Sequence, residues 1–128
     1  MGQIQKEISV TAENKPGTLA KAAGCLKEEG VSIQAACAWG EGGKATFMFL
    51  TDNNTKAMEA LRKGGYSATE EEVVTSVLAN RIGSFAEATH KMGQAGIDIN
   101  YCYVSASGPN ALAVFATNNN QKAKGLLP

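Results

Sequence analysis

Two short stretches hold the residues best suited to chemistry: Asn14-Lys15-Pro16-Gly17-Thr18-Leu19 and Asn80-Arg81-Ile82-Gly83-Ser84-Phe85. Each sets a glycine turn between an apolar strand pattern and an amphipathic helix pattern. A helix opening from such a turn leaves backbone N–H groups without intrahelical partners. Its dipole adds partial positive charge at the same end. A site of this kind suits one carboxylate or phosphate. Lys15 and Arg81 put a cation beside each turn. Asn14 and Asn80 each offer both a donor and an acceptor. Together these groups describe a receptor for a zwitterion such as an amino acid. A plainer reading makes each Asn a turn or capping residue and each Gly a steric necessity. Spacing alone leaves both readings open.

Other candidates are fewer. Gln34, Asn100, Tyr101 and Tyr103 follow the apolar start of a strand in each half and are placed to line a pocket facing the turn. The alternative for them is outward-facing strand residues. Trp39 reads as a packing or interface residue, Glu70-Glu71-Glu72 as a solvated edge, Asp52 as a helix cap and Glu41 as a hairpin residue. Thr18 and Ser84 follow the turn glycines without an identifiable base, and no GxSxG, Walker or HExxH motif occurs. His90 has no acidic or Cys partner at helical spacing, so no metal site is expected. Cys25, Cys37 and Cys102 form no CxxC pair and read as reduced thiols packed as small apolar groups.

The elements that position these residues repeat. Moving from Asn14 to Asn80 is a shift of 66 residues. In the same register Gly17 meets Gly83, Gly30 meets Gly96, Ile33 meets Ile99, Phe49 meets Phe115 and Asn54 meets Asn120. Chance would not hold one register through strand, turn, helix and hairpin. The chain is a tandem duplication, and two long copies mean two small domains, not a solenoid.

Each copy can be read in order. Residues 3–12 alternate with apolar groups on one parity, a strand with one buried face. Pro16 fits the first helical position, and the helix over 16–29 presents Leu19, Ala22, Ala23 and Leu26 inward. Gly30 suits a left-handed helix end. Strands over 31–39 and 45–51 flank a glycine-rich hairpin, and a second helix over 56–63 precedes a strand over 66–72. That strand runs without a linker into 73–79, the opening strand of the next copy, which is apolar on both parities. The second copy continues with a helix over 83–95, strands over 97–105 and 111–117, and a short final helix. The order predicts an α+β chain of two ferredoxin-like βαββαβ units in tandem, residues 1–71 and 72–128, the second truncated at its C-terminal strand.

The charge balance, 12 basic against 12 acidic residues, argues against a nucleic-acid binder and gives no reason for attachment to anionic lipid. No apolar run is long enough to span a membrane. The first residues do not form a signal peptide. A cytoplasmic location is expected.

The run from Ile8 to Leu19, followed by Gly30-Val31-Ser32-Ile33, resembles the ACT domain: an apolar strand, Asn-x-Pro-Gly-x-Leu, a helix, then a Gly-apolar-x-Ile strand. The second copy departs from that pattern at Ile82 and Phe85. The whole layout is similar to small tandem ACT proteins. The resemblance implies a non-catalytic regulatory module that binds an amino acid at the strand-to-helix turns, between ACT units. The contacts it implies are Asn14, Lys15, Gly17, Thr18 and Leu19, and Asn80, Arg81, Gly83, Ser84 and Phe85. The ligand side chain would meet Gln34, or Asn100 to Tyr103. No cofactor is implied. A homodimer is expected, with a metabolic enzyme or regulator as partner. Ile82 in place of Pro predicts unequal turns. The alternatives are a ligand-free dimerising subunit of a metabolic enzyme and, behind it, a small phosphatase using Arg81 and Asn80.

Overall fold

The computed structural model describes Met1–Pro128. Its ten elements are β1 (Gln3–Glu13), α1 (Thr18–Glu28), β2 (Ile33–Glu41), β3 (Lys44–Thr51), α2 (Asn54–Lys63), β4 (Ser67–Ala79), α3 (Ser84–Gln94), β5 (Ile99–Ser107), β6 (Asn110–Thr117) and α4 (Asn120–Leu126). This is the expected α+β, tandem ferredoxin-like order. The chain forms two compact units, Lys6–Glu71 and Met1–Gln5 with Glu72–Pro128. Both β1 and β4 therefore contribute to each unit.

In the unit Lys6–Glu71 the strands run in the order β2-β3-β1-β4. Ile8 lies opposite Phe49, Val10 opposite Phe47 and Ala12 opposite Ala45, in antiparallel register. That parity faces the helices. Ile8, Val10 and Phe49 join Ala22 and Leu26 of α1 and Ala57, Met58 and Leu61 of α2 in one core. Burying side chains such as Phe49 and Leu61 stabilises by roughly 1.5–3 kcal/mol each.

In the other unit the order is β1-β4-β6-β5. Val74, Leu78, Ala113 and Phe115 pack on Ala88 and Met92 of α3 and Ala123 of α4. In this unit the first residues of the chain lie along β4 and α4. The Gly2 N–H donates to the Lys124 carbonyl at 3.2 Å, the Thr75 hydroxyl donates to Gln5 Oε1 at 3.2 Å, and Ile4 packs on the core.

Side-chain hydrogen bonds repeat the 66-residue register. The Asn54 amide donates to the Lys6 carbonyl and to Glu70, and the Asn120 amide donates to the Glu72 carbonyl and carboxylate. Glu70 and Glu72 thus fasten a helix start to β4, where the sequence suggested only a solvated edge. Asp52 is not the helix cap. Asn53 caps α2 by accepting from the Lys56 N–H, and Asp52 Oδ1 accepts from the Ser32 N–H at 2.9 Å, holding the start of β2.

Candidate functional site

Gly17 has φ 87° and ψ −8°, a left-handed conformation that cannot belong to α1. The Thr18 N–H reaches back to the Lys15 carbonyl at 3.3 Å. Pro16 and Gly17 are therefore the two central residues of a type II turn, with Pro at the position that wants φ near −60° and Gly where φ must be positive. Pro16 consequently lies before the helix, not at its first position. The second turn has the same backbone: Gly83 has φ 92° and ψ −12°, and the Ser84 N–H reaches the Arg81 carbonyl at 3.2 Å. Ile82 leaves the turn geometry unchanged, and it is fully exposed.

Each Asn staples its turn to the neighbouring hairpin. Asn14 Nδ2 donates to the Gly42 carbonyl at 3.3 Å, and its backbone N–H donates to the Gly43 carbonyl at 3.0 Å. Asn80 Nδ2 donates to the Gly108 carbonyl at 2.8 Å. The structural role is thus present, and it leaves the side-chain oxygen as the group open to a ligand. Asn14 also lies flat on Gly40, where a Cβ would stand 2.5 Å from Nδ2.

No side chain caps α1 or α3, and with the Thr18 and Ser84 amides engaged in the turns, those of Leu19 and Ala20, and of Phe85 and Ala86, keep their donor capacity. The surroundings then diverge. The first turn of α1 holds no acidic residue. Lys15 makes only an exposed pair with Glu13 at 3.6 Å. Lys21, one turn into α1, stands over the Tyr66 ring, 5.6 Å from its centroid. The Tyr66 hydroxyl donates to the Thr18 carbonyl at 2.8 Å. Burial raises the phenol pKa, and Cys25 pushes it in the same direction. At α3 the residue matching Lys21 is Glu87. Its carboxylate takes Arg81 in a two-pronged pair, 3.3 and 2.9 Å. That hydrogen-bonded pair raises the Arg81 pKa and lowers that of Glu87.

The first turn separates two cavities. One, of about 420 Å³, is lined by Lys15, Thr18, Lys21 and Tyr66 among others. The other, of about 250 Å³, lies between the turn and β2 and is lined by Leu19, Trp39 and Phe47 among others. Leu19, read both as part of the apolar face of α1 and as a ligand contact, is 42% exposed and lines this cavity. Trp39 borders it from β2, where it lies opposite Thr46 and so on the other sheet face from Phe47. Beside the second turn, Arg81, Ser84 and Glu87 line a smaller cavity of about 170 Å³.

The remaining candidates lie elsewhere. Gln34 and Asn100 are exposed at matching irregularities near the start of β2 and β5. Tyr101 and Tyr103 are half-buried on β5, opposite Ala116 and Val114. None of these four lines the three cavities at the turns. Lys21 and Glu87 are the residues that the sequence reading did not single out; they are visible as an opposite-charge pair in the repeat register.

A family model described as an ACT domain pair matches residues 3–127. No curated protein matches the sequence. Among solved structures, a protein from Bacteroides thetaiotaomicron superposes with a TM-score of 0.91 at 23% identity, covering 98% of this chain and 87% of that one. The ligand-free regulatory subunit of aspartate kinase from Thermus thermophilus gives 0.71 at 17% identity, with coverage of 98% and 93%. The aspartate kinase of Clostridium acetobutylicum gives 0.63 at 15% identity, with 98% of this chain covering 32% of that enzyme.

Proposed function

The chain belongs to the family of ACT domain pairs, and from that premise we propose that it is a non-catalytic regulatory protein that binds an amino acid at its first turn, between β1 and α1. One observation carries this reading. Lys15 and Lys21 both stand by the uncapped N-terminus of α1 with no acidic residue in its first turn. A cation at the positive end of a helix is unfavourable by itself, and a bound carboxylate relieves it. The free turn amides and Lys15, which lines the cavities on both sides of the turn, receive the ligand carboxylate. The Asn14 side-chain oxygen, whose amide nitrogen is already engaged, receives the ligand ammonium.

The second turn plays a structural part. Glu87 supplies there the negative charge that a ligand would bring, and Arg81 is held by it. The protein acts as a homodimer, β2 being the outer strand of the Lys6–Glu71 unit with Ile33 and Trp39 exposed. It passes its ligand state to a metabolic enzyme or regulator.

A thermal-shift screen of the twenty amino acids tests the reading. A ligand at 100 times its dissociation constant stabilises by about 2.7 kcal/mol. One or a few amino acids are expected to raise the melting temperature. A flat response to all twenty at millimolar concentration overturns the proposal and leaves a ligand-free dimerising subunit.

A further inference from the structure

We infer that the larger cavity beside the first turn is a second ligand site, one that takes a phosphorylated small molecule between Lys15 and Lys21. The turn after α2 borders this cavity without filling it. Gly65 has φ 90°, where a side chain is strained. A Cβ on Gly64 would stand 2.6 Å from Cys25 Sγ. Two glycines in a row thus leave about 420 Å³ open, inside the roughly 300–1,000 Å³ range of small-molecule sites. Tyr66 follows them and is fixed by its hydroxyl, which donates to the Thr18 carbonyl at 2.8 Å.

The charges lining the cavity do not balance. Lys21 Nζ lies 5.6 Å from the centroid of the Tyr66 ring, whose π face attracts a cation and holds it in place. Glu13 is the one carboxylate in the cavity wall, and it lies against Lys15 at 3.6 Å, not against Lys21. Two ammonium groups therefore face one carboxylate. A phosphate ester brings about −1.5 to −2 charges near pH 7 and three acceptor oxygens, enough to engage both lysines at once. The repeat differs at this point. Glu87 stands in the place of Lys21 and already holds Arg81 at 2.9 Å, and the cavity there is only about 170 Å³. Lys21 and Tyr66 line the larger cavity and not the one beside β2, so the two sites can be probed separately.

Inorganic phosphate is the probe, titrated into the intact protein by calorimetry, with malonate as a dicarboxylate control. Phosphate is expected to bind once per chain and more tightly than malonate, and to shift the amide resonances of Gly64 and Gly65. Lys21→Gln should weaken it about tenfold or more, the scale of one charge-assisted hydrogen bond. Glu13→Gln should tighten it. Thr11→Glu adds a carboxylate at an exposed wall residue and should weaken phosphate as Lys21→Gln does, with both lysines intact. Lys91→Gln, at the cavity of the second turn, should leave the affinity unchanged. No phosphate binding at millimolar concentration overturns the inference, and so does malonate binding as tightly. An equal loss in Lys91→Gln and Lys21→Gln means an adventitious ion only and overturns it too. None of these outcomes bears on the amino-acid reading, which the thermal-shift screen decides.

Discussion

Lys21 and Glu87 occupy the same place in the two copies, four residues beyond the turn glycine, and carry opposite charges. Lys21 lies over Tyr66, whereas Glu87 closes on Arg81 at 2.9 Å. With the turn backbones superposable to a few degrees at glycine, this exchange, and not Ile82, makes the turns unequal.

Lys21→Glu should therefore convert the first turn into a copy of the second. Lys15 then has an internal carboxylate as Arg81 does. Removing one charged hydrogen bond to the ligand costs about 1.5–3 kcal/mol, so amino-acid affinity is expected to fall at least about tenfold. The ligand-free protein should melt within a degree or two of the parent, because an exposed ion pair contributes only about 0.2–1 kcal/mol. Calorimetric titration and a melting curve check the two halves.

The type II turns make a paired prediction. Gly17→Ala and Gly83→Ala each force a left-handed L-residue and should cost about 1–2 kcal/mol, alike in both units. Ile82→Pro places in the second turn the residue that already occupies the equivalent position as Pro16. It should stabilise by about 0.4–1 kcal/mol through the unfolded chain. Urea denaturation of the three variants measures this.

Glu87 sets an acid-side signature. Its pKa is lowered by the hydrogen bond and charge of Arg81 from an ordinary value of 4.5. A carboxyl group with a depressed folded pKa contributes stability that is present above its unfolded pKa and lost as pH falls through the folded one. Glu87→Gln should thus show a shallower loss of melting temperature than the parent as pH drops below about 4.5, with the curves parallel near pH 7. Parallel curves throughout would show that the pair adds nothing to folding.

Gly40 tests the staple. A Cβ there meets Asn14 Nδ2 at 2.5 Å. Gly40→Ala should displace Asn14 from the Gly42 carbonyl and cost about 0.5–1.5 kcal/mol, the net value of one hydrogen bond. It should also weaken ligand binding. Hydrogen exchange at the Asn14 amide, which donates to the Gly43 carbonyl, locates the change.

Much of this was readable from residues alone. Alternation over β1 and helical spacing in α1 are local signals, and the 66-residue register transferred them to the second copy. Pro16 was misplaced by local reasoning, because both a helix start and a type II turn accept proline. The positive φ of Gly17 decides between them. Lys21 and Glu87 were visible as letters, but a charge on a helix acquires meaning only once its neighbour, Tyr66 or Arg81, is fixed in space. The cover given by Gly2 to Gln5 was not legible, since strand pairing across most of the chain leaves no local pattern.

That cover has a consequence for the order of synthesis. Residues 1–5 leave the ribosome before residues 72–128 have been made. Domains generally fold as units while the chain emerges. The Lys6–Glu71 unit is contiguous and can close first. Gly2 to Gln5 therefore wait for Glu72 to Pro128, the rest of their own unit, to be made.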